Sequence, residues 1–355
     1  MRRTRRRMVI AGVAGLLLAL GWLGPASLAQ ERKVVVVSWG GDYQDALREA
    51  YWKPFQQATG IKVIEDTRPL PPRIKAMVES GKMEWDVVDL TDAQHMEVRN
   101  IGGFEKIDYG KLDADSLKMI DRRGHLTDAV MHQMASVGIA YRTDVFKTDR
   151  PKSWADFWDV KRFPGPRALG APIGAGAYGT IEAALLADGV PLDTLYPLDV
   201  DRALRKLREL KPHVAKWTTT AAMPQQLLVD KEVVMAAVFS ARTYILQQKG
   251  APIDFVWNQA MAFPMYLAIP KGAPNRENAH RLIDFMLRAE AQARYGNIYY
   301  YGVANRKAYD TIPASRSRFL TTFPENLKLQ FVQDAEWWGK NAPLVNEKWN
   351  QWVLR

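Results

Sequence analysis

Residues 33–64 read KVVVVSWGGDYQDALREAYWKPFQQATGIKVI, and this stretch decides the fold. The run at 33–39 is β-branched and unbroken by charge after Lys33, which is the pattern of a buried strand rather than a half-exposed one. Gly40 and Gly41 then make a turn, and Asp42 is placed to cap a helix over 43–58. Ala46, Leu47, Ala50, Tyr51 and Phe55 recur at helical spacing along it. Gly60 stands where a helix-terminating glycine belongs, and 61–64 reads as the next strand. Strand, helix, strand in so short a span requires a crossover, so the two strands are expected to be parallel.

The alternation continues outward from this unit. A helix is expected over 72–80, a strand over 86–89 and a helix ending near Asn100. After Val137 it resumes. Strands are expected at 167–172, 214–217, 233–239, 253–256 and 265–270. The intervening helices fall at 180–187, 200–210, 224–230, 241–249 and 276–287. Repeated β-α alternation implies an α/β fold with mostly parallel sheets flanked by helices. The 355 residues, 47% hydrophobic and 25% charged, are enough for two lobes. With no linker of low complexity, the chain is expected to cross between them more than once.

The first 29 residues differ from the rest. Residues 2–7 are RRTRRR, an apolar run covers 8–23, and Ser27-Leu28-Ala29 follows Pro25. A charged start, a short apolar run and small residues at an exit make a cleavable signal peptide over 1–29. The apolar run is shorter than the ~20 residues of a spanning helix. Thr4-Arg5-Arg6-Arg7-Met8 also fits a twin-arginine export motif, so the route is Sec or twin-arginine. The formal charge is +10, which taken alone suggests a nucleic-acid or membrane-surface partner. The leader carries five Arg and no acid, so the rest holds 44 basic and 39 acidic residues, a net of +5. Nucleic acid is therefore not expected as a partner. The chain has no Cys, which excludes disulfides, thiolate metal sites and a lipidated N-terminal cysteine.

Six segments together resemble a family. They are VVVVSWGGDYQDALREAYWKPFQQATGIKVI at 34–64, EWDVVDLTDAQ at 84–94, SVGIAYRTDVF at 136–146, KSWADFWD at 152–159, MYLAIPKGAPNRENAHRLIDFML at 265–287 and YYGVAN at 300–305. In this order and spacing the chain resembles the periplasmic solute-binding proteins of ABC importers, in the spermidine/putrescine-binding group. The resemblance implies a two-lobed periplasmic-binding-protein fold of type II-like form. Lobe 1 would be 33–137 plus 266–301, and lobe 2 would be 138–265 plus 302–355. It implies a monomer in the periplasm that closes on a small-molecule ligand, serves an ABC permease in the inner membrane, and needs no cofactor or metal.

Ligands of open α/β sheets bind beyond the carboxyl ends of the strands, which selects the candidate residues. Trp39 and Gly40 follow the first strand, as an apolar wall and a close backbone approach. The resemblance places a ligand-contacting hydroxyl at Thr91. Asp92 could pair with an ammonium or simply cap the following helix. Gly174-Ala175-Gly176-Ala177-Tyr178-Gly179 matches GxGxxG, a dinucleotide pattern that an exported protein does not call for. Such a loop at a helix start suits an anion, and Tyr178 could stack on the ligand. Phe239 is expected as an aromatic wall. Arg242 opens a helix, where a cation is unfavourable, and could fork a carboxylate or form a salt bridge. Phe263, Met265 and Tyr301 complete an apolar, aromatic set.

Departures from the polyamine group point to a different ligand. The resemblance places family acids in the first loop, in the loop that here reads GAPIGAGAYG (170–179), and near Met265. This chain has none at these places. An ammonium buried without a partner costs about 1–3 kcal/mol or more. A carboxylate-bearing or other small polar solute is therefore expected rather than a polyamine. Two other readings were open: a ligand-sensing partner of a receptor, and an extracellular hydrolase. The second lacks support, because the chain contains no HExxH, P-loop or GxSxG motif and its five His are scattered.

Overall fold

The computed structural model describes residues 32–172, 179–220 and 222–354, of which those from Lys33 onward belong to one compact unit. Among the described residues, ten strands lie in one sheet: β1 (Lys33–Ser38), β2 (Lys62–Thr67), β3 (Val87–Thr91), β4 (Ala129–Arg142), β5 (Arg167–Gly170), β6 (Val214–Thr218), β7 (Met235–Phe239), β8 (Ile253–Ala268), β9 (Gly302–Val303) and β10 (Phe331–Val332). The order along the main path is β2-β1-β3-β8-β4-β7-β5-β6.

β1 pairs in parallel with β2 and β3, and β5 pairs in parallel with β6 and β7. This is what the strand-helix-strand alternation requires. The two parallel groups are joined by an antiparallel ribbon of β4 and β8, paired from Ala129↔Ala268 to Arg142↔Ile253. β4 is buried along its whole length, as expected of a strand covered on both faces.

The ribbon places the ligand site. β3 runs antiparallel to β8 and ends with Thr91 opposite Met265. β7 runs antiparallel to β4 and ends with Phe239 opposite Val137. The carboxyl ends of β3 and β7 therefore point at each other, separated along β4 only by the stretch from Gln133 to Val137, on the order of 13 Å at ~3.3 Å per residue.

Several expectations change. Residues 253–256 and 265–270 do not form two strands but belong largely to the single strand β8. The polar stretch between them is a bulge. Between the pairs Val137↔Met261 and Ile139↔Val256, β8 holds residues 257–260 against Gly138 alone. A Cβ on Gly138 would sit 2.7 Å from Phe255 Cζ and 3.0 Å from Ala260 Cβ, so only glycine fits across from it. Trp154 Nε1 donates to the carbonyl of Gln259 at 2.9 Å and fixes the bulge from outside.

Asp42 is not the helix cap. The helix Gly41–Leu47 starts after Gly40, with no side-chain cap, and runs on through a π-helical turn at Arg48–Trp52 into Lys53–Thr59. Two successive glycines at positive φ turn the chain before Asp42 is reached. Gly60 does end this helix in the left-handed conformation, with φ 67°.

The helix Ala335–Val353 closes the chain. It packs against Asp92–Arg99, the helix after β3, and against Val200–Leu210, which precedes β6. It therefore touches both parallel groups. Trp338 is fully buried and donates Nε1 to Glu182 Oε1 at 2.7 Å. Farther along, Trp349 and Trp352 pack edge-on against Trp217.

Candidate functional site

A cavity of about 350 Å³ opens at the middle of the ribbon. Trp39, Gly40 and Tyr43 come to it from the end of β1 and the helix after it. Thr91, Ala93 and Gln94 come from the end of β3. Phe239 and Arg242 come from the end of β7, and Phe263 and Met265 from β8. Tyr299, Tyr301 and Gln333 complete the lining. Of the residues expected from the sequence, Trp39, Gly40, Thr91, Phe239, Arg242, Phe263, Met265 and Tyr301 are brought together here. Tyr178 and the glycine loop at 173–178 lie outside the described residues.

Gly40 has φ 74° and ψ −178°, a conformation essentially closed to other residues. Its N–H donates to Gln44 Oε1 at 3.0 Å. This turn sets Trp39 at the cavity wall. The Trp39 indole N–H is buried and has no acceptor among the described residues.

Thr91 is itself the cap of the helix Asp92–Arg99. Its hydroxyl accepts from the Gln94 N–H at 3.4 Å, and Gln94 Oε1 accepts from the Thr91 N–H at 3.2 Å. This capping box engages the Thr91 hydroxyl and Gln94 Oε1. Asp92 is therefore not the cap. It sits in the first helical turn, buried and off the cavity lining, where its Oδ1 accepts from the Ala93 N–H at 2.8 Å. Burial pushes its carboxyl up to about 7, and Asp334 nearby adds to the shift.

Tyr43, Tyr299 and Tyr301 form one aromatic group, with ring centroids 5.1–5.7 Å apart. Phe239 and Phe263 form a second, edge to face at 5.9 Å. Behind Tyr43 lies a buried polar cluster. Asp89 accepts from the hydroxyls of Tyr43 (2.5 Å) and Ser38 (3.0 Å) and lies 3.1 Å from His132 Nε2. Gln133 Nε2 donates to the Tyr43 hydroxyl. The Asp89 carboxylate is 1% exposed and faces this cluster, not the cavity.

Arg242 stands in the first turn of the helix Ser240–Gln248, half-buried, and has no carboxylate partner among the described residues. Burial pushes the Tyr299 hydroxyl up to about 12, opposed by the Arg242 charge. The same cation opposes the stronger upward shift at Tyr301. Among the described residues, no acid lines the cavity and no group of His, Asp or Glu is arranged to hold a metal ion.

Sequence reasoning missed Tyr43, Ala93, Gln94, Tyr299 and Gln333 as wall residues. Tyr43 carried a signal, because it lies in the first helical turn after the Trp-Gly-Gly loop. Gln333 carried none: it reaches the cavity because β10, just before it, pairs with Met261 and Ala262 of β8.

Two parallel sheet groups joined by a ribbon, with a cavity where their carboxyl ends meet, define a two-lobed ligand-binding protein. The chain belongs to the family of bacterial extracellular solute-binding proteins, whose model matches residues 50–319. It is similar to the gamma-aminobutyric acid-binding protein of Pseudomonas aeruginosa, 33% identical over 93% of each chain. It is also similar to the spermidine/putrescine-binding periplasmic protein of Escherichia coli, 26% identical over 95% of this chain and 94% of that one. Among solved structures, an ABC transporter substrate-binding protein from Bradyrhizobium japonicum superposes with a TM-score of 0.84. It is 37% identical, covering 90% of this chain and 99% of that chain. Proteins of this family bind solutes and are not enzymes, so the hydrolase reading is set aside. No helix among the described residues is long and apolar enough to cross a membrane.

Proposed function

We propose that this protein captures a small carboxylate-bearing solute between its two lobes and delivers it to an ABC permease in the inner membrane. It is the substrate-binding component of an ABC transporter, as similar proteins are. The observation that carries the ligand class is Arg242: a half-buried guanidinium at the cavity, without a carboxylate partner among the described residues and with no acid beside it. A guanidinium fork fits a carboxylate in two parallel hydrogen bonds. The acids that a polyamine would need are missing from the wall. A relative that binds gamma-aminobutyric acid, itself a carboxylate, agrees with this reading.

Lobe 1 comprises 33–137 plus 266–301, and lobe 2 comprises 138–265 plus 302–355. The lobes close on the ligand by bending the β4–β8 ribbon, and closure is what the permease recognises. Residues 1–29 direct export to the periplasm by the Sec or twin-arginine route and are removed. The protein acts as a monomer and binds no nucleic acid.

The test is thermal denaturation of the protein with panels of carboxylates, amino acids and polyamines. A carboxylate at 100 times its Kd should raise stability by about 2.7 kcal/mol. Arg242→Ala should abolish that rise while leaving the unliganded melting temperature nearly unchanged. A rise with spermidine alone, retained in Arg242→Ala, would refute the ligand class. Small-angle scattering with and without the bound carboxylate tests closure, and an unchanged radius of gyration at saturation would count against it.

A further inference from the structure

We infer that the solute is a net monoanion whose body is a flat aromatic ring, so that the cavity takes an aromatic carboxylate in preference to an ω-amino acid. The inference rests on the carboxylate reading above and adds the chemistry of the rest of the ligand.

The first argument is the balance of donors and acceptors. Two donors at the wall have no acceptor among the described residues: the Arg242 guanidinium and the buried Trp39 indole N–H. Three acceptors at the wall are engaged, and the Tyr299 and Tyr301 hydroxyls are neutral groups that cannot balance an ammonium charge. Thr91 Oγ1 and Gln94 Oε1 serve each other's backbone N–H in the capping box. The Tyr43 hydroxyl donates to Asp89 and accepts from Gln133. A buried ammonium needs hydrogen-bonded counter-groups, and a buried donor needs an acceptor.

The second argument is charge. Arg242 is the one ionised side chain at the wall among the described residues. The undescribed stretch 173–178 reads IGAGAY and holds no acid. Asp89 faces Ser38, Tyr43 and His132 behind the wall, and Asp92 is turned into its own helix. A site with one cation and no anion is matched by a ligand of charge −1. A zwitterion leaves its second charge uncompensated.

The third argument is the shape of the apolar part. Six rings line the cavity: Tyr43 with its neighbours Tyr299 and Tyr301, Phe239 with Phe263, and Trp39. Met265 adds a thioether, which makes favourable contact with ring edges. Ring-on-ring contact adds to apolar burial, whereas a three-carbon chain presents no such face.

The experiment is isothermal titration of the protein lacking residues 1–29. The probes are phenylacetate, indole-3-acetate, butyrate, gamma-aminobutyrate and spermidine. An aromatic carboxylate should bind at least tenfold tighter than butyrate and gamma-aminobutyrate, and should change Trp39 fluorescence. Arg242→Gln should weaken it by at least tenfold, and Phe263→Leu should narrow its margin over butyrate. Butyrate or gamma-aminobutyrate binding as tightly as the aromatic probes, with dependence on Arg242, would overturn this inference and leave the carboxylate reading standing. Spermidine binding that is indifferent to Arg242→Gln would overturn both. Failure of both aromatic probes to bind would overturn this inference alone.

Discussion

The Tyr43 hydroxyl donates to Asp89 Oδ2 at 2.5 Å, so a residue of the cavity wall is anchored on a carboxylate that is 1% exposed. Tyr43→Phe keeps the ring at the wall and deletes the donor. A buried carboxylate then loses one of its charge-assisted partners, which costs about 1.5–3 kcal/mol. Urea denaturation should show this loss with an unchanged m-value. Ligand affinity should fall less than in Arg242→Ala, because the ring remains.

Gly40 controls the wall through its backbone. A Cβ there would make only ordinary contact with Thr67 Cγ2 at 3.6 Å, so space is not the obstacle. The obstacle is φ 74° with ψ −178°. Gly40→Ala should lower stability by about 1–3 kcal/mol. It should also weaken ligand binding, because relief of the strain moves Trp39. Retained affinity with lowered stability would separate the turn from the site.

Asp92 gives a pH signature. Its folded carboxyl, pushed up by burial to about 7, lies above the ordinary aspartate value of 3.8. Between these values the native state binds more protons than the unfolded chain, so its contribution to stability falls as pH rises through this window. Asp92→Asn keeps an acceptor for the Ala93 N–H and removes the charge. The variant should be more stable than wild type at pH 8, by at most a few kcal/mol. The advantage should shrink toward pH 4. Thermal melts of both proteins at intervals across this range measure it.

Trp338 ties the last helix to Glu182, whose carboxyl is raised by burial against the opposing hydrogen bonds of Tyr196 and Trp338. Trp338→Phe removes a donor to the ionised form and leaves a small void. The cost should be about 2–4 kcal/mol. It should be greater at pH 8 than at pH 5, because the lost hydrogen bond stabilises the carboxylate. Equal losses at the two pH values would mean that packing alone accounts for the residue.

Much of the fold was legible because local patterns carried it. The valine run of β1, the helical spacing from Ala46 to Phe55 and the stop at Gly60 each act over a few residues. The bulge in β8 was not legible. Trp257, Asn258 and Gln259 read as a break between strands, yet they remain in one strand because Gly138 across the ribbon leaves room and Trp154 holds the Gln259 carbonyl. The last helix was missed for a related reason: its stability comes from Trp338 and Trp349 packing on remote segments. At the site, the loops after β1, β3 and β7, where the sequence places candidate residues, come together at one cavity. Whether Thr91 or Asp92 capped the helix depended on side-chain direction, which the sequence does not encode.

The sequence alone determined that this is an α/β chain with parallel strands, a separate leader-like start and an acid-poor, aromatic set of loops. These follow from short-range periodicity and from residue chemistry. Only the tertiary structure decided that Arg242 meets Trp39 and Tyr43 at one cavity. Some two hundred residues separate them, and the meeting requires β3 and β7 to run toward each other along the β4–β8 ribbon. Tertiary packing also buried the Trp39 N–H with no acceptor among the described residues, whereas Thr91 and Gln94 are engaged locally by their own capping box. The meeting is set by strand pairing across the sheet, not by neighbours in the chain.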